Sequence, residues 1–170
     1  MRKVKGKVHR KLQPEILKFL AENGPASIYA VCTKTKEYSL KDWNAIYHAF
    51  QSLMKKGLVE KVGRGKYRVT SEGRLTALLY GANIRKVKEN ALKNCKPEDR
   101  EDLLATYEII ESVGPEVGKA LIKVLKGKME LAYLPIPVLN DKEFTKILAV
   151  LKKYPKWWQT FENMTRETKN

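Results

Sequence analysis

The chain has 170 residues, of which 43% are apolar, enough for one substantial hydrophobic core or two small domains. Its 34 Lys and Arg against 19 Asp and Glu leave a formal charge of +15, which favours an anionic partner, either nucleic acid or an acidic protein surface. Two cysteines without a Cys-x-x-Cys motif and two histidines indicate neither a disulfide framework nor a metal site, and no run approaches the ~20 apolar residues of a membrane span.

The positive charge is concentrated in the first half of the chain. Residues 1–90 hold 20 Lys and Arg against 7 Asp and Glu, whereas residues 91–170 hold 14 against 12. Residues 1–11 form a basic arm, which we expect to be flexible unless bound. No apolar core or cleavage site follows it, so we expect no secretory signal and a cytoplasmic protein. High lysine content and only three glutamines are typical of a thermophilic source.

Three helices are predicted after the arm. The first begins at Pro14, a residue suited to a helix start, and ends before an Asn-Gly-Pro sequence. Ser27 can cap a short second helix. Ser39, with Asp42 three positions on, has the spacing of a capping box, which predicts a third helix over residues 40–56.

The third helix separates its side chains into two faces at a period near 3.6 residues. One face is apolar and predicts contact with a core: Trp43, Ile46, Tyr47, Phe50, Leu53 and Met54. The other face is polar and cationic: Lys41, Asn44, Ala45, His48, Ser52 and Lys55.

A β-hairpin is predicted after the third helix. Alternating residues over 58–62 and 66–70 flank a glycine-bounded tip of three residues, Gly63, Arg64 and Gly65. A lone hairpin is marginally stable, so it must pack on something else. Thr70 or Ser71 then caps a fourth helix, which is predicted to run to about residue 92.

Two stretches carry a resemblance to a known family. "GPASIYAVCTKTKEYSLKDWNAIYHAFQSLMKKGLVEKV" has a helix-turn-helix rhythm with a closing "KGLV", and "YRVTSEGR" is similar to a wing strand running into the next helix. Residues 12–92 therefore resemble the winged helix-turn-helix superfamily of DNA-binding domains.

The resemblance implies that the third helix enters the major groove and that the hairpin is a wing. On the helix, Asn44 can then pair with adenine, Lys41 reaches guanine or phosphate, and His48 or Ser52 donates to base edges or the backbone. The wing cations would lie along the backbone or in the minor groove: Lys61, Arg64, Lys66 and Arg68. The basic arm could neutralise phosphates: Arg2, Lys3, Lys5, Lys7, Arg10 and Lys11.

Each of these surfaces also has a simpler interpretation. The polar face of the third helix can be an ordinary solvated face. Lysines and arginines on the hairpin can serve only to protect an exposed strand edge, and the arm can be a solubility tail.

Residues 93–170 are predicted to form a helical domain for dimerisation or for effector or partner binding. One helix ends at Gly114, and a second starts at Pro115 and runs to about Tyr133. The stretch "LPIPVLN" is predicted to be extended because it contains two prolines. Two further helices begin at Asn140 and Pro155. The last contains an aromatic set that suits a ligand pocket, a dimer interface or, more commonly, a core: Tyr154, Trp157, Trp158 and Phe161.

The expected fold is therefore mainly α with one small β-hairpin, comprising an N-terminal winged helix and a C-terminal helical domain. The expected function is sequence-specific binding of double-stranded DNA, as a transcriptional regulator and a possible homodimer through helix 72–92 or the C-terminal helices. A winged-helix protein-interaction module is the main alternative, and RNA binding is a weaker one. No phosphate loop or nucleophile arrangement indicates an enzyme, a cofactor or a catalytic residue.

Overall fold

The computed structural model describes residues 4–35, 40–127 and 140–167. These residues form a mainly helical protein with one small antiparallel hairpin, which confirms the predicted fold class. The chain divides into two compact units, residues 1–94 and residues 95–170, here called the N-terminal and C-terminal units.

The N-terminal unit combines helices with one two-stranded sheet. A 3₁₀ turn, Leu40–Asp42, precedes its third helix, and Ser39, the predicted cap, lies outside the described residues. The elements are α1 (Val4–Asn23), α2 (Ile28–Lys34), α3 (Trp43–Lys55), β1 (Val59–Gly63), β2 (Lys66–Val69), α4 (Ser71–Leu79) and α5 (Ile84–Lys93).

Helix α1 begins ten residues earlier than predicted, at Val4 rather than Pro14. Proline within a helix removes a backbone hydrogen bond and usually ends or bends it. Here Leu12 and Ile16, on either side of the proline, are both completely buried, so packing holds the helical path through Pro14. Residues 4–11 of the predicted arm are the first turns of α1.

Helix α1 is the centre of the N-terminal unit. It packs against α3, α4, α5 and β2, while α2 packs against α3. The ring of Phe50 lies 4.9 Å from that of Tyr67, which joins α3 to β2. The most deeply buried side chains of this core are Leu12, Ile16, Leu17, Leu20, Val31, Ile46, Phe50 and Leu53.

The hairpin has a tighter tip than predicted. Gly63 pairs with Lys66, which leaves a two-residue turn, Arg64 and Gly65, instead of a three-residue tip. Gly65 has φ of +69°, a conformation in which glycine is the favoured residue at this turn position. The strands pair in register from Val59 opposite Val69, with an irregularity between Lys61 and Gly63.

A backbone bridge ties the hairpin to the segment between α1 and α2. The amide of Ala26 donates to the carbonyl of Tyr67, and the amide of Tyr67 donates to the carbonyl of Ala26, both at 2.9 Å. The sequence did not predict this bridge. Only one residue, Ala26, pairs with the strand, so the segment shows no alternation of apolar and polar residues. It supplies part of the support that a lone hairpin needs.

The predicted fourth helix is two helices. Gly81 has φ of +92°, a left-handed conformation that ends α4 and its following turn. The side chain of Asn83 then accepts from the amide of Lys86 and caps α5. The carboxylate of Glu22 in α1 accepts from the Asn83 amide at 2.7 Å, so α1 holds the break in place.

The C-terminal unit consists of four helices and a short 3₁₀ turn, Pro97–Asp99, among its described residues. Asn140 and Glu143 form the reciprocal capping box of the helix Asp141–Lys152, as the helix start at Asn140 predicted. The helix from Pro115 ends at Leu125, earlier than predicted, and "LPIPVLN" lies outside the described residues. The helices are α6 (Arg100–Val113), α7 (Pro115–Leu125), α8 (Asp141–Lys152) and α9 (Pro155–Glu167).

Two carboxylates of α6 hold the segment around the start of α9. Asp102 Oδ1 accepts from Trp157 Nε1 at 2.8 Å, and Glu108 Oε1 accepts from the Tyr154 hydroxyl at 2.7 Å. Lys153 also reaches Glu108, at 3.4 Å. Burial, the hydrogen bond to Glu108 and the negative charge of that carboxylate raise the pKa of Tyr154 to about 12.

The raised pKa of Tyr154 predicts a loss of stability at alkaline pH. The folded unit keeps the phenolic proton at a pH where the unfolded chain releases it, near 10. The stabilisation is therefore complete below pH 10 and is lost as pH rises towards 12. We expect urea denaturation to show a smaller alkaline fall in unfolding free energy for Tyr154→Phe than for the unaltered chain. Equal falls in the two proteins would contradict this assignment.

No helix in the described ranges is both long and apolar enough to cross a membrane.

Candidate nucleic-acid interface

The buried side of α3 is narrower than its sequence pattern indicated. Ile46, Ala49, Phe50 and Leu53 face the core and are at most 2% exposed. Two predicted core aromatics instead lie at the margin of this stripe, and that prediction was wrong: Trp43 is 39% exposed and Tyr47 is 41% exposed. The small side chain of Ala49, placed on neither predicted face, is buried at the centre of the contact.

The side of α3 opposite its core carries three of the polar residues that were predicted to contact DNA, together with Gln51. Asn44, His48, Gln51 and Lys55 follow one another at three- or four-residue intervals, which places them along one face. Asn44, His48 and Lys55 are exposed, and Gln51 is half-buried. Lys41 is exposed just ahead of the helix, in the 3₁₀ turn. We call Asn44, His48, Gln51 and Lys55 the outward face.

Two residues assigned to the same face lie on its flank. Ala45 and Ser52 are half-buried, in contrast to the exposed Asn44, His48 and Lys55. Ser52 Oγ accepts a hydrogen bond from Gln13 Nε2 at 3.0 Å, and Gln13 Oε1 accepts from Lys56 Nζ at 2.7 Å. Ser52 therefore helps to join α3 to α1, and its hydroxyl is already engaged within the chain.

The four cations of the hairpin are exposed but not equivalent. Arg68 lies opposite Glu60 on the neighbouring strand, and its Nε is 2.5 Å from a Glu60 carboxylate oxygen. Lys61, Arg64 and Lys66 are exposed and make no ion pair with any residue in the described ranges. They carry most of the hairpin's available positive charge, since the charge of Arg68 is partly neutralised by Glu60.

The six arm residues divide between two parts of the chain. Lys5, Lys7, Arg10 and Lys11 belong to the backbone of α1. Arg2 and Lys3 lie outside the described residues.

Exposed apolar side chains accompany the polar ones on α3. Leu40 in the 3₁₀ turn is 56% exposed, and the ring of Tyr47 meets that of His48 edge-on at 5.7 Å. Sequence reasoning missed Leu40 and assigned Trp43 and Tyr47 to the core. Their exposure could have been predicted, because Trp43 and Tyr47 lie at the edge of the apolar stripe, next to Asn44 and His48.

Two observations concern metal-binding and thiol side chains in the described part of the chain. No group of three or more His, Cys, Asp or Glu residues there is arranged to hold a metal ion. Cys32 is buried in the core, and burial raises the pKa of its thiol, which keeps it protonated at neutral pH.

The C-terminal unit contains an open cleft of about 270 Å³. Its one described carboxylate, Asp102, already accepts from Trp157 Nε1 and lies 3.6 Å from Lys156 Nζ. The cleft is lined by Asp102, Leu125, Lys126, Lys156, Trp157 and Thr160.

Comparison of the chain with protein-family models, with curated proteins and with solved structures finds no significant match.

Proposed function

We propose that the N-terminal unit is a winged helix-turn-helix domain that binds double-stranded DNA sequence-specifically and regulates transcription. The observation that carries the proposal is the pairing of the outward face of α3 with a cationic hairpin. Asn44, His48 and Lys55 are exposed opposite the core, and Lys61, Arg64 and Lys66 are exposed on the wing.

The charge of the unit suits this ligand. Residues 1–90 carry 13 more basic than acidic side chains, from 20 against 7. Lys and Arg that neutralise phosphates release condensed counterions, and this term supplies much of the affinity of proteins for DNA. The nearly balanced residues 91–170, with 14 basic and 12 acidic side chains, do not share this property.

The bridge between Ala26 and Tyr67 supports a fixed wing. It connects Ala26, two residues before the start of α2, to the second strand of the hairpin through two backbone hydrogen bonds. The ring contact between Phe50 and Tyr67 joins the same strand to α3. A wing held to α3 and to the segment before α2 keeps its tip in a constant position relative to α3, as simultaneous contact with two parts of one duplex requires.

The role of each side chain in the proposed DNA binding follows from its chemistry. An α-helix fits the major groove, where the amide of Asn44 can pair bidentately with adenine. His48 donates to a base edge or a phosphate, and Lys55, at the far end of the helix, neutralises phosphate. Arg64 at the wing tip lies along the backbone or enters a narrow minor groove, where negative potential is concentrated.

The test is the salt dependence of binding to a genomic DNA pool. We expect affinity to fall steeply between 50 and 200 mM salt, by about 10³-fold or more if six phosphates are neutralised. The double variant Lys55→Ala, Arg64→Ala should lower the slope of log affinity against log salt by about two. It should also weaken binding at every sequence.

A matched control removes two exposed lysines of α8, Lys142 and Lys146, which should leave both affinity and slope unchanged. The proposal fails if affinity is insensitive to salt, or if the double variant binds as tightly as the unaltered chain.

A protein-interaction module is the second candidate, and the exposed aromatics of α3 favour it. Trp and Tyr are enriched in the central contacts of protein interfaces, and Trp43 and Tyr47 are about 40% exposed on α3. A pull-down from source lysate separates the two functions. A partner retained after nuclease treatment supports the module, whereas loss of all partners supports DNA binding. Competition between duplex DNA and structured RNA tests the weaker alternative of RNA binding.

A further inference from the structure

The exposed aromatic side chains of α3 form a second surface beside the outward face. Trp43 and Tyr47 are four residues apart, so they lie one turn apart on the same side of the helix. They are 39% and 41% exposed, although the neighbouring stripe of the same helix is fully buried. We call this pair the aromatic edge.

The aromatic edge is continuous with the outward face. Tyr47 follows Asn44 by three residues and precedes Gln51 by four, so it lies about 60° around the helix from Asn44. Its ring meets the His48 ring at 5.7 Å with a 72° interplanar angle, in edge-on contact. A ligand that covers Asn44 and His48 therefore also meets the Tyr47 ring.

We propose that the aromatic edge recognises thymine through the C5-methyl group that it displays in the major groove. This inference rests on the proposed DNA binding and adds a specificity determinant to it. Thymine is the one base with a methyl group in the major groove, and apolar side chains distinguish it by burying that group. Tyr47 is the main contact, because it borders both Asn44 and His48, and Trp43 extends the surface towards the start of α3.

Charge complementarity favours DNA over an apolar protein surface as the ligand of this edge. Lys41 lies two residues before the edge, with Asp42 between them, and Lys55 lies two turns beyond Tyr47. An apolar patch between cations suits a surface that presents methyl groups between phosphates. An uncharged protein groove would leave those ammonium groups without counter-charges.

The test replaces thymine by uracil, which removes the methyl group and leaves base pairing intact. Duplexes are first selected from a random pool with the full chain, and each thymine of the bound site is then replaced singly by deoxyuridine. For the unaltered chain, we expect one or two replacements to weaken binding about fourfold, the effect of exposing one buried methyl group. For Tyr47→Ala, thymine and uracil duplexes should bind equally.

Two further variants test whether a loss of methyl sensitivity is specific to the ring of Tyr47. Tyr47→Phe keeps the ring and should keep the methyl sensitivity. Tyr80→Ala removes another exposed tyrosine, at the end of α4, and should also leave the sensitivity unchanged.

The experiment distinguishes a failure of the thymine inference from a failure of the proposed DNA binding. If the chain selects duplexes but no uracil replacement weakens binding, or if Tyr47→Ala stays methyl-sensitive, the thymine inference is overturned and DNA binding stands. If no duplex is selected even at low salt, the proposed function itself fails.

Discussion

Replacing Gly73 by alanine should destabilise the N-terminal unit by about 3 kcal/mol or more, although alanine is the better helix former. A Cβ at this position would lie 2.0 Å from the carbonyl oxygen of Leu58 and 2.4 Å from a methyl group of Val69. The first of these atoms belongs to the backbone and cannot rotate away. The first turn of α4 must therefore move off the hairpin, and Gly73 is required for their close packing.

The same segment is tied by hydrogen bonds that a shift would break. Thr70 Oγ1 accepts from the Gly73 amide at 3.1 Å and donates to the Gly57 carbonyl at 2.7 Å. The Thr70 amide donates to the Leu58 carbonyl at 3.0 Å. Displacement of α4 should thus disturb the hairpin, and we expect Gly73→Ala to weaken the proposed DNA binding to the extent that it depends on the hairpin.

Hydrogen exchange of the α1 and α3 amides measures this effect within the N-terminal unit. The matched control is Gly63→Ala on the hairpin, where an added Cβ has no atom of the described residues within 4 Å and φ is not positive. It should change stability by less than about 0.5 kcal/mol. A gain in stability for Gly73→Ala, as helix propensity alone predicts, would contradict the close packing of Gly73 against Leu58 and Val69.

Trp157→Ala should destabilise the C-terminal unit by about 3–5 kcal/mol. The indole is only 5% exposed in α9, which packs against α7 and α8. Its Nε1 donates to Asp102 at 2.8 Å, so truncation both leaves a cavity and removes a partner of a partly buried carboxylate. Trp157→Phe, which keeps most of the volume, should cost less and so separate the two contributions.

The adjacent Trp158 is the control. It is half-buried, lies 5.7 Å from the Phe161 ring, and has the ammonium of Lys152 at 5.4 Å from its ring centroid. An exposed cation–π contact is worth about 0.5–1 kcal/mol, so Trp158→Ala should cost much less than Trp157→Ala. Exchange of α6 amides gives the comparison, and equal losses would contradict the assignment of Trp157 to the core.

Local structure was predictable where one side chain satisfies nearby backbone groups. Ser27 accepts from the Ala30 amide, as its prediction as a helix cap requires. Asn140 Oδ1 accepts from the backbone amide of Glu143, and the Glu143 carboxylate accepts from the backbone amide of Asn140. These signals work because they involve residues three positions apart and depend little on the rest of the fold.

Predictions failed where distant residues decide the outcome. Local preferences make Pro14 a valid helix start. The burial of Leu12 in the core instead keeps the chain helical on both sides of this proline. The break near Gly81 depends partly on Glu22, which is 61 residues from Asn83, the residue it contacts. The apolar periodicity of α3 gave the direction of its buried face, but its width depends on the elements that pack there.

The mainly helical fold with one hairpin, the helix caps at Ser27 and Asn140, and the concentration of positive charge in the first half were all predictable from the sequence. Three other features became known only from long-range contacts: Tyr47 is exposed beside Asn44, Ser52 is bonded to Gln13, and Arg68 is paired with Glu60. The difference is one of range, because caps, helical periodicity and charge counts are local or additive properties of the chain. Burial and pairing depend on which distant surfaces meet, and they select the residues that remain available to a ligand.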